Sequence, residues 1–208
     1  MLFLVKQIRV EDVYMSVKKF TYKQMGKLWR PGQTSTKFDN GQITIIGGSS
    51  LFHGAPILAL KVASRVVDMV YFATPETDGP VAELVKAQLG AFIWIPSDEV
   101  DRYVAKSDVV VIGPGMMRYE KEGDDHDGKL DQAGRMTKEV TERLLLEYPM
   151  KKWVIDGGSL QVIEVGSIPL GAVVTPNVKE FEMLFGEKIN WKDLDRVIEK
   201  VERKADKY

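Results

Sequence analysis

Apolar residues occur in this chain as short uninterrupted runs, separated by longer segments of helical periodicity. From about residue 40 onward, six such runs predict strands, at residues 43–46, 69–73, 91–95, 109–112, 153–155 and 172–174. The runs have no polar alternation, which is typical of strands buried on both faces of a parallel sheet. Helical patterns separate most of them, at residues 77–88, 98–106 and 130–147 and from Pro56 onward. We therefore predict an α/β fold with three α/β/α layers and a mainly parallel sheet over residues 41–208.

The two ends of the chain follow other patterns. Within residues 1–40, helical spacing predicts a leader helix that packs on the main domain or on a neighbouring subunit, and residues 31–36 form a turn-rich connector. The apolar residues of that helix are Val10, Val13, Val17 and Phe20. Near the other end, Asn190 is predicted to cap a last helix. Its apolar face consists of Leu194, Val197, Ile198 and Val201.

Composition narrows the class of protein. With 44% hydrophobic and 28% charged residues in 208, the chain is predicted to be a soluble globular protein, which excludes collagen-like and disordered classes. The net charge of −1 predicts no nucleic acid and no anionic membrane as partner. Cysteine is absent, so disulfides and thiolate metal sites are excluded, and a cytoplasmic location is expected. No signal peptide and no membrane span is predicted from the sequence.

Candidate chemistry follows four of the predicted strands, in residues 47–56, 113–117, 156–160 and 175–181. The carboxyl ends of parallel strands share one edge of a sheet, where ligands bind in the crevice between diverging connections. We therefore expect these four segments to converge. The first leads from a strand through two glycines into a helix, which suits either an anion at the helix N-terminus or a plain tight turn.

Each segment also has a purely structural interpretation. Asp156 at a strand tip either binds a substrate hydroxyl or a hydrated Mg²⁺, or caps the following turn. Asn177 and Glu180 have the spacing of a capping box, which explains both residue types without a ligand. His53 has no partner visible in the sequence, so a structural role is expected. The polar segment 120–131 is expected to be a solvated surface loop rather than a metal site.

The order of these motifs along the chain is more specific than any one of them. The motifs follow one another in the order Gly48-Ser49, Phe52, Gly54-Ala55-Pro56, Thr74-Pro75, Gly113-Pro114-Gly115, Asp156, and Thr175-Pro176-Asn177 with Glu180. This order resembles the ATP- or ADP-dependent NAD(P)H-hydrate dehydratase family of the ribokinase-like superfamily. The resemblance implies a substrate site that contains Gly48, Ser49, Ala55, Gly113, Gly115, Asp156, Asn177 and Glu180.

The resemblance also implies a repair reaction on a nicotinamide nucleotide. Such enzymes phosphorylate the ring hydroxyl of hydrated NADH or NADPH with ATP or ADP, usually with Mg²⁺, and then eliminate phosphate. Hydroxide is a poor leaving group and phosphate a good one, so catalysis depends on positioning and charge neutralisation. The implied partner is this small-molecule nucleotide, and we expect a homo-oligomer.

The chain departs from the family pattern at several positions. Phe52 replaces a common Tyr, Met117 replaces a Gly and is expected to narrow the pocket, and Gly157-Gly158 replaces Ala-Asp. No Gly-x-Gly-Asp sequence occurs, although in the family that turn supplies the anion hole and the catalytic Asp. We therefore expect a C-terminally incomplete version of the fold, in which the catalytic residue is unknown.

Two alternatives to an active dehydratase stay open at this point. One is a non-catalytic nucleotide-binding or assembly protein that kept the substrate half, which the missing turn favours. The other is another ribokinase-like small-molecule kinase. The Gly48-to-Pro56 segment and the turn at Thr175-Pro176-Asn177 favour the dehydratase over that kinase.

Overall fold

A computed structural model describes residues 4–5, 21–75, 85–87, 89–119, 129–190 and 192–208. One seven-stranded sheet has the order β1-β7-β6-β5-β2-β3-β4. Strands β2 to β7 pair in parallel, and only β1 runs antiparallel, against β7. The strands are β1 (Leu4–Val5), β2 (Gln42–Ile46), β3 (Met69–Ala73), β4 (Ile93–Trp94), β5 (Val109–Ile112), β6 (Lys152–Ile155) and β7 (Val173–Val174).

Seven α-helices have bounds within the described residues. They are α1 (Tyr22–Met25), α2 (Gly54–Ala63), α3 (Val100–Lys106), α4 (Gln132–Glu147), α5 (Gly157–Val162), α6 (Val178–Phe185) and α7 (Leu194–Lys207). Two short 3₁₀ turns, Ser97–Glu99 and Val165–Ser167, precede α3 and follow α5. The strands β2, β4, β5 and β6 thus lead through a helical connection to the next strand, as the alternating pattern predicted, whereas residues 76–84 between β3 and β4 lie outside the described ranges.

Successive residues of the central strands belong to two separate apolar clusters. In β2, Ile45 packs in a cluster that contains Leu60 of α2, whereas Ile46 packs in a larger cluster that contains residues of α3 to α7. Because side chains alternate between the two faces of a strand, the clusters lie on opposite faces of the sheet. The three-layer α/β/α arrangement and the burial of both sheet faces are therefore confirmed.

The element boundaries confirm the six predicted strands and correct several details. The strand β1 was not predicted, and α2 begins at Gly54, two residues before Pro56. The prediction that Asn190 caps the last helix is wrong. Asp193 caps α7, because its carboxylate accepts a hydrogen bond from the Arg196 N–H at 3.3 Å, whereas the Asn190 amide accepts from Lys192 N in a turn.

The predicted apolar face of the last helix is only partly buried. Val197 and Val201 are buried, whereas Leu194 at the start of α7 is exposed. The leader helix, most of residues 77–88 and most of the polar segment 120–131 lie outside the described residues. The domain boundary at residue 40 stays a prediction. Within the described ranges, no helix has the length and apolar character needed to span a bilayer.

Candidate functional site

The four predicted segments meet at the carboxyl edge of the sheet. The Gly48 N–H donates to the Pro114 carbonyl at 2.8 Å, and the Gly158 N–H donates to the Gly113 carbonyl at 3.1 Å. The Thr175 hydroxyl then donates to the Asp156 carboxylate at 2.5 Å. Each segment is hydrogen-bonded to the next across β2, β5, β6 and β7. The predicted convergence of the strand ends is therefore confirmed.

The turn after β5 requires glycine at its first position. Gly113 has φ +107°, and a Cβ built there would lie 1.9 Å from the Asp156 carbonyl oxygen. A side chain is unfavourable at this position for two reasons. The backbone conformation is one that L-residues rarely adopt, and the Asp156 carbonyl occupies the space that the Cβ would need. Gly113 thus lets the β5 and β6 ends approach each other, which places the 115–119 segment beside α2.

A cavity of about 720 Å³, here named the edge cavity, opens between these segments. Residues 51–55 line one side, and Gly115, Met116, Arg118 and Tyr119 line another. Gly157, Gly158, Gln161 and Lys179 complete the lining. Of the eight predicted site residues, Ala55 and Gly115 lie in this lining. The resemblance implied that Ala55 and Gly115 belong to one substrate pocket, and both line the edge cavity.

The other predicted site residues lie behind the edge cavity and hold its walls. Ser49 is buried, and its hydroxyl accepts a hydrogen bond from the Phe52 N–H at 2.9 Å. Gly48 and Gly113 form the hydrogen-bonded turns beneath the lining, and Asp156 is bonded to Thr175. The Asp156 side chain makes no cap hydrogen bond to α5, so the interpretation that it caps the following turn is wrong. Its carboxylate instead joins the end of β6 to the end of β7 through Thr175, and a role in ligand binding stays a prediction.

Asn177 and Glu180 form the capping box that their spacing indicated. The Asn177 side chain accepts from the Glu180 N–H at 3.0 Å, and the Glu180 carboxylate accepts from the Asn177 N–H at 2.9 Å. Gln161 donates to the other oxygen of Glu180 at 3.0 Å. These bonds fix the first turn of α6. Lys179, one of the two residues between Asn177 and Glu180, lines the edge cavity.

Sequence reasoning missed the polar residues that line the edge cavity. Arg118, Tyr119, Gln161 and Lys179 belong to no motif quoted above, although Lys179 lies within the 175–181 segment. His53, which was expected to be structural, is exposed and lines the cavity, and its side chain makes no cap hydrogen bond to α2. Only the folded connection between β5 and α4 brings Arg118 to this edge.

Two departures from the family pattern have structural explanations. Met117 was expected to narrow the pocket, and this is wrong because its buried side chain is not part of the lining. Its carbonyl accepts from the Thr137 hydroxyl at 2.6 Å, which holds it against α4. At Gly158, a Cβ would lie 2.1 Å from the Met116 carbonyl oxygen, so a carboxylate side chain does not fit there.

The edge cavity does not fit Mg²⁺ through its own lining. Magnesium prefers carboxylate oxygens, and none of the described lining residues is Asp or Glu. Within the described ranges, no group of three His, Asp or Glu side chains is placed to hold a metal ion. The nearby carboxylates of Asp156 and Glu180 accept hydrogen bonds from protein groups. The predicted role of Mg²⁺ stays a prediction.

Comparison with known proteins places the chain among nucleotide-repair relatives. A family model described as NAD(P)H-hydrate dehydratase matches residues 43–208. The bifunctional NAD(P)H-hydrate repair enzyme Nnr of Hyperthermus butylicus is 27% identical over 197 residues. The ADP-dependent (S)-NAD(P)H-hydrate dehydratase of Nitrosopumilus maritimus is 31% identical over 205 residues. A ribokinase-like superfamily protein of Enterococcus faecalis superposes with a TM-score of 0.61 at 18% identity, which confirms the ribokinase-like fold.

The matches differ in how much of each relative they include. The alignments use 88% and 92% of this chain, but 33% of the H. butylicus protein and 62% of the N. maritimus protein. The superposition uses 92% of this chain and 66% of the E. faecalis protein. The chain thus spans between about a third and two thirds of the length of these relatives.

Proposed function

Since the chain belongs to the NAD(P)H-hydrate dehydratase family, we propose that it binds hydrated NADH or NADPH in the edge cavity for dehydration driven by ADP or ATP. Membership in this family sets aside the alternative of another small-molecule kinase. The alternative of a nucleotide-binding protein without catalysis stays open, and the experiment below addresses it.

The proposed reaction replaces a poor leaving group by a good one. The ring hydroxyl attacks the terminal phosphorus of ATP or ADP, which forms a C–O–P bond and releases ADP or AMP with loss of the hydroxyl proton. The C–O bond then breaks and phosphate leaves, while loss of a ring proton restores the reduced nicotinamide. Such a reaction depends on positioning and on neutralising phosphoryl charge rather than on covalent participation by the protein.

The single observation that carries the proposal is the position of the edge cavity. It lies at the carboxyl ends of parallel strands, where ligands bind in open α/β sheets. Two residues that the family resemblance assigned to the substrate, Ala55 and Gly115, both line it. Gly48, Ser49, Gly113, Asp156, Asn177 and Glu180 support the cavity walls, so we assign them to shaping the site rather than to contacting the ligand.

A steric block of the edge cavity tests this proposal. Ala55 is exposed at the second position of α2, so replacement by Trp adds a bulky side chain at the cavity wall. By isothermal titration calorimetry with hydrated NADPH, we expect Ala55→Trp to weaken binding at least ~10-fold, a cost of about 1.4 kcal/mol. The matched control is Leu58→Trp, on the same helix and 65% exposed but outside the cavity lining.

The control protein should bind as the wild type does. Equal affinity of wild type and Ala55→Trp, with the fold of both intact, places the substrate elsewhere and refutes the proposal. Recovery of the reduced-nicotinamide absorbance band, with ATP or ADP added, separates the remaining alternatives. Binding with turnover supports the dehydratase, and binding without turnover supports a nucleotide-binding protein that does not catalyse the reaction.

The setting of this activity is also proposed rather than observed. We propose a cytoplasmic homo-oligomer, in agreement with the absence of cysteine. Mg²⁺ is proposed only as a companion of the phosphate donor, whose charge it would help to neutralise, since the described lining of the edge cavity has no carboxylate that would hold it.

A further inference from the structure

The polar lining of the edge cavity is positively charged. Arg118 and Lys179 are both part of it, and no described lining residue is an acid. Glu180, the acid next to Lys179 in sequence, is buried, and both of its oxygens accept hydrogen bonds from Asn177 and Gln161. The described lining of the edge cavity therefore offers cationic donors to a ligand and has no carboxylate that would repel an anion.

Arg118 has a hydrogen-bond donor for which the described part of the chain offers no acceptor. Among the described residues, its buried Nε atom has no hydrogen-bond partner. Its Nη1 atom lies 3.6 Å from the Met183 sulfur, a weak acceptor, and its guanidinium carbon lies 4.6 Å from the centre of the Tyr119 ring. A buried donor without a partner is costly, and the described residues supply no acceptor for this one, so a ligand acceptor would satisfy it.

The backbone of Arg118 is held firmly against α4. A Cβ at Gly134 would lie 2.1 Å from the Arg118 carbonyl oxygen, so the two backbones are in close contact. The preceding carbonyl, that of Met117, accepts from the buried Thr137 hydroxyl at 2.6 Å. These contacts fix the position from which the guanidinium extends, and a preorganised cation loses less entropy when it binds a ligand.

Lys179 lines the same cavity from α6, the helix whose Met183 contacts Arg118. It is the second residue of α6, and the capping box fixes the turn that carries it. Its side chain is exposed, and within the described part of the chain no hydrogen bond or ion pair is found for its ammonium group. Two cations on separate, rigid elements thus face one cavity.

We infer that Arg118 and Lys179 bind the phosphoryl oxygens of the nucleotide ligand and so fix its diphosphate in the edge cavity. A guanidinium matches two oxygens of a phosphoryl group at once, and an ammonium group serves as a compact point charge beside it. This inference rests on the proposed function, since it assigns the diphosphate of that ligand. It assigns the ligand's anionic part to two residues for which the sequence motifs predicted no role in binding.

Binding of three probes to charge-neutral variants tests the inference. The variants are Arg118→Gln and Lys179→Gln, and the control is Lys61→Gln on the exposed surface of α2, outside the cavity lining. The probes are NADH, inorganic pyrophosphate, and reduced nicotinamide riboside, which has the ring and ribose but no phosphate. Thermal unfolding of each variant verifies that the fold is retained.

We expect each cavity variant to lose about 10-fold in NADH affinity, since a hydrogen bond to a charged group contributes a factor of this size or more. Pyrophosphate should compete with NADH for the wild type and the control, and more weakly for the cavity variants. Affinity for the riboside should stay unchanged in all proteins, a result that a general loss of structure would not produce.

The other outcomes distinguish this inference from the proposed function. If wild type binds NADH and the cavity variants bind it equally well, the inference is overturned while the proposed function survives. If wild type binds pyrophosphate through Arg118 and Lys179 but binds neither NADH nor its hydrate, the anion site stands and the proposed function fails. If the riboside loses affinity in parallel with NADH, or if wild type binds no phosphate compound, the assignment of these two residues is wrong.

Discussion

Replacement of Gly113 by alanine should destabilise the protein strongly, because it forces the β5 and β6 ends apart. Gly113 has φ +107°, and its added Cβ would lie 1.9 Å from the Asp156 carbonyl oxygen and 2.8 Å from the Ser159 side chain. The unfavourable backbone conformation costs about 1–3 kcal/mol. The steric overlap with a packed backbone costs about 1–3 kcal/mol more. We therefore expect a loss of about 2–6 kcal/mol, a large fraction of the ~5–15 kcal/mol typical of a domain.

Two control glycines separate these contributions. Gly171 also has a positive φ of +83°, but a Cβ there meets nothing within 4 Å, so Gly171→Ala reports the backbone cost alone. Gly166 has neither feature, so Gly166→Ala should be neutral or stabilising by up to about 1 kcal/mol. The three substitutions add the same methyl group, and the order of destabilisation should be Gly113, then Gly171, then Gly166.

Equilibrium unfolding in urea, followed by tryptophan fluorescence, measures these differences. Trp153 on β6 is 1% exposed and lies close in sequence to Asp156, so unfolding of this region changes its environment. The denaturant slope should stay the same in all variants, since the folded and unfolded surfaces are unchanged. If Gly113→Ala destabilises no more than Gly171→Ala, the close approach of the strand ends is not rigid and the reasoning fails.

Two further predictions concern the elements around the site. Asn177→Ala removes the cap of α6 and should lower the free energy of unfolding by about 1 kcal/mol, measured by thermal or denaturant unfolding. The control Asn190→Ala, in an exposed turn, should lower it much less. Equal effects of the two substitutions would contradict the capping role of Asn177. Arg143 donates two hydrogen bonds to Asp101, at 2.8 and 3.1 Å, and this holds the pKa of the Asp101 carboxyl below its ordinary value. Because the folded-state pKa is lowered, Asp101→Asn should cost about 0.5–1 kcal/mol at pH 7 for this partly exposed pair. The cost should begin to shrink as the pH falls below the ordinary value of 3.8 and should be lost once the pH passes below the lowered folded-state pKa. A cost in urea unfolding that does not shrink as the pH is lowered would refute the ionic origin of the effect.

The apolar patterns of the sequence predicted the sheet because both faces of its strands are buried. Ile45 and Ile46 pack on opposite faces of β2, so a run of apolar residues without alternation was the correct signal. The pattern failed where tertiary contacts decide. The strand β1 has two residues, too few for any periodicity, and it exists by pairing with β7. Either Asn190 or Asp193 is a suitable cap by residue type, and only the folded turn before α7 selects Asp193.

The candidate site was predictable in its backbone but not in its charges. Glycines, a strand-end aspartate and a capping box are local signals, and all of them lie at the predicted edge of the sheet. Arg118 has no such signal, and Lys179 is marked only by its place within the capping box, because a cation in a sequence resembles any surface residue. Their joint position depends on the contact of Arg118 with Gly134 and on the turn at the start of α6, which the fold alone brings together.

The close contact of Gly113 with the Asp156 carbonyl has a consequence for how such a site changes over time. The shape of the edge cavity is encoded by positions where a side chain is missing, whereas its charge is encoded by two side chains on separate elements. Substitutions at Arg118 and Lys179 can therefore change the charge of the edge cavity while its shape is kept. Related proteins with the same fold would then accept ligands of a different charge. Selection for a new ligand would then act on Arg118 and Lys179 first. A substitution of Gly113 would be eliminated because it destabilises the fold, whatever its effect on ligand binding.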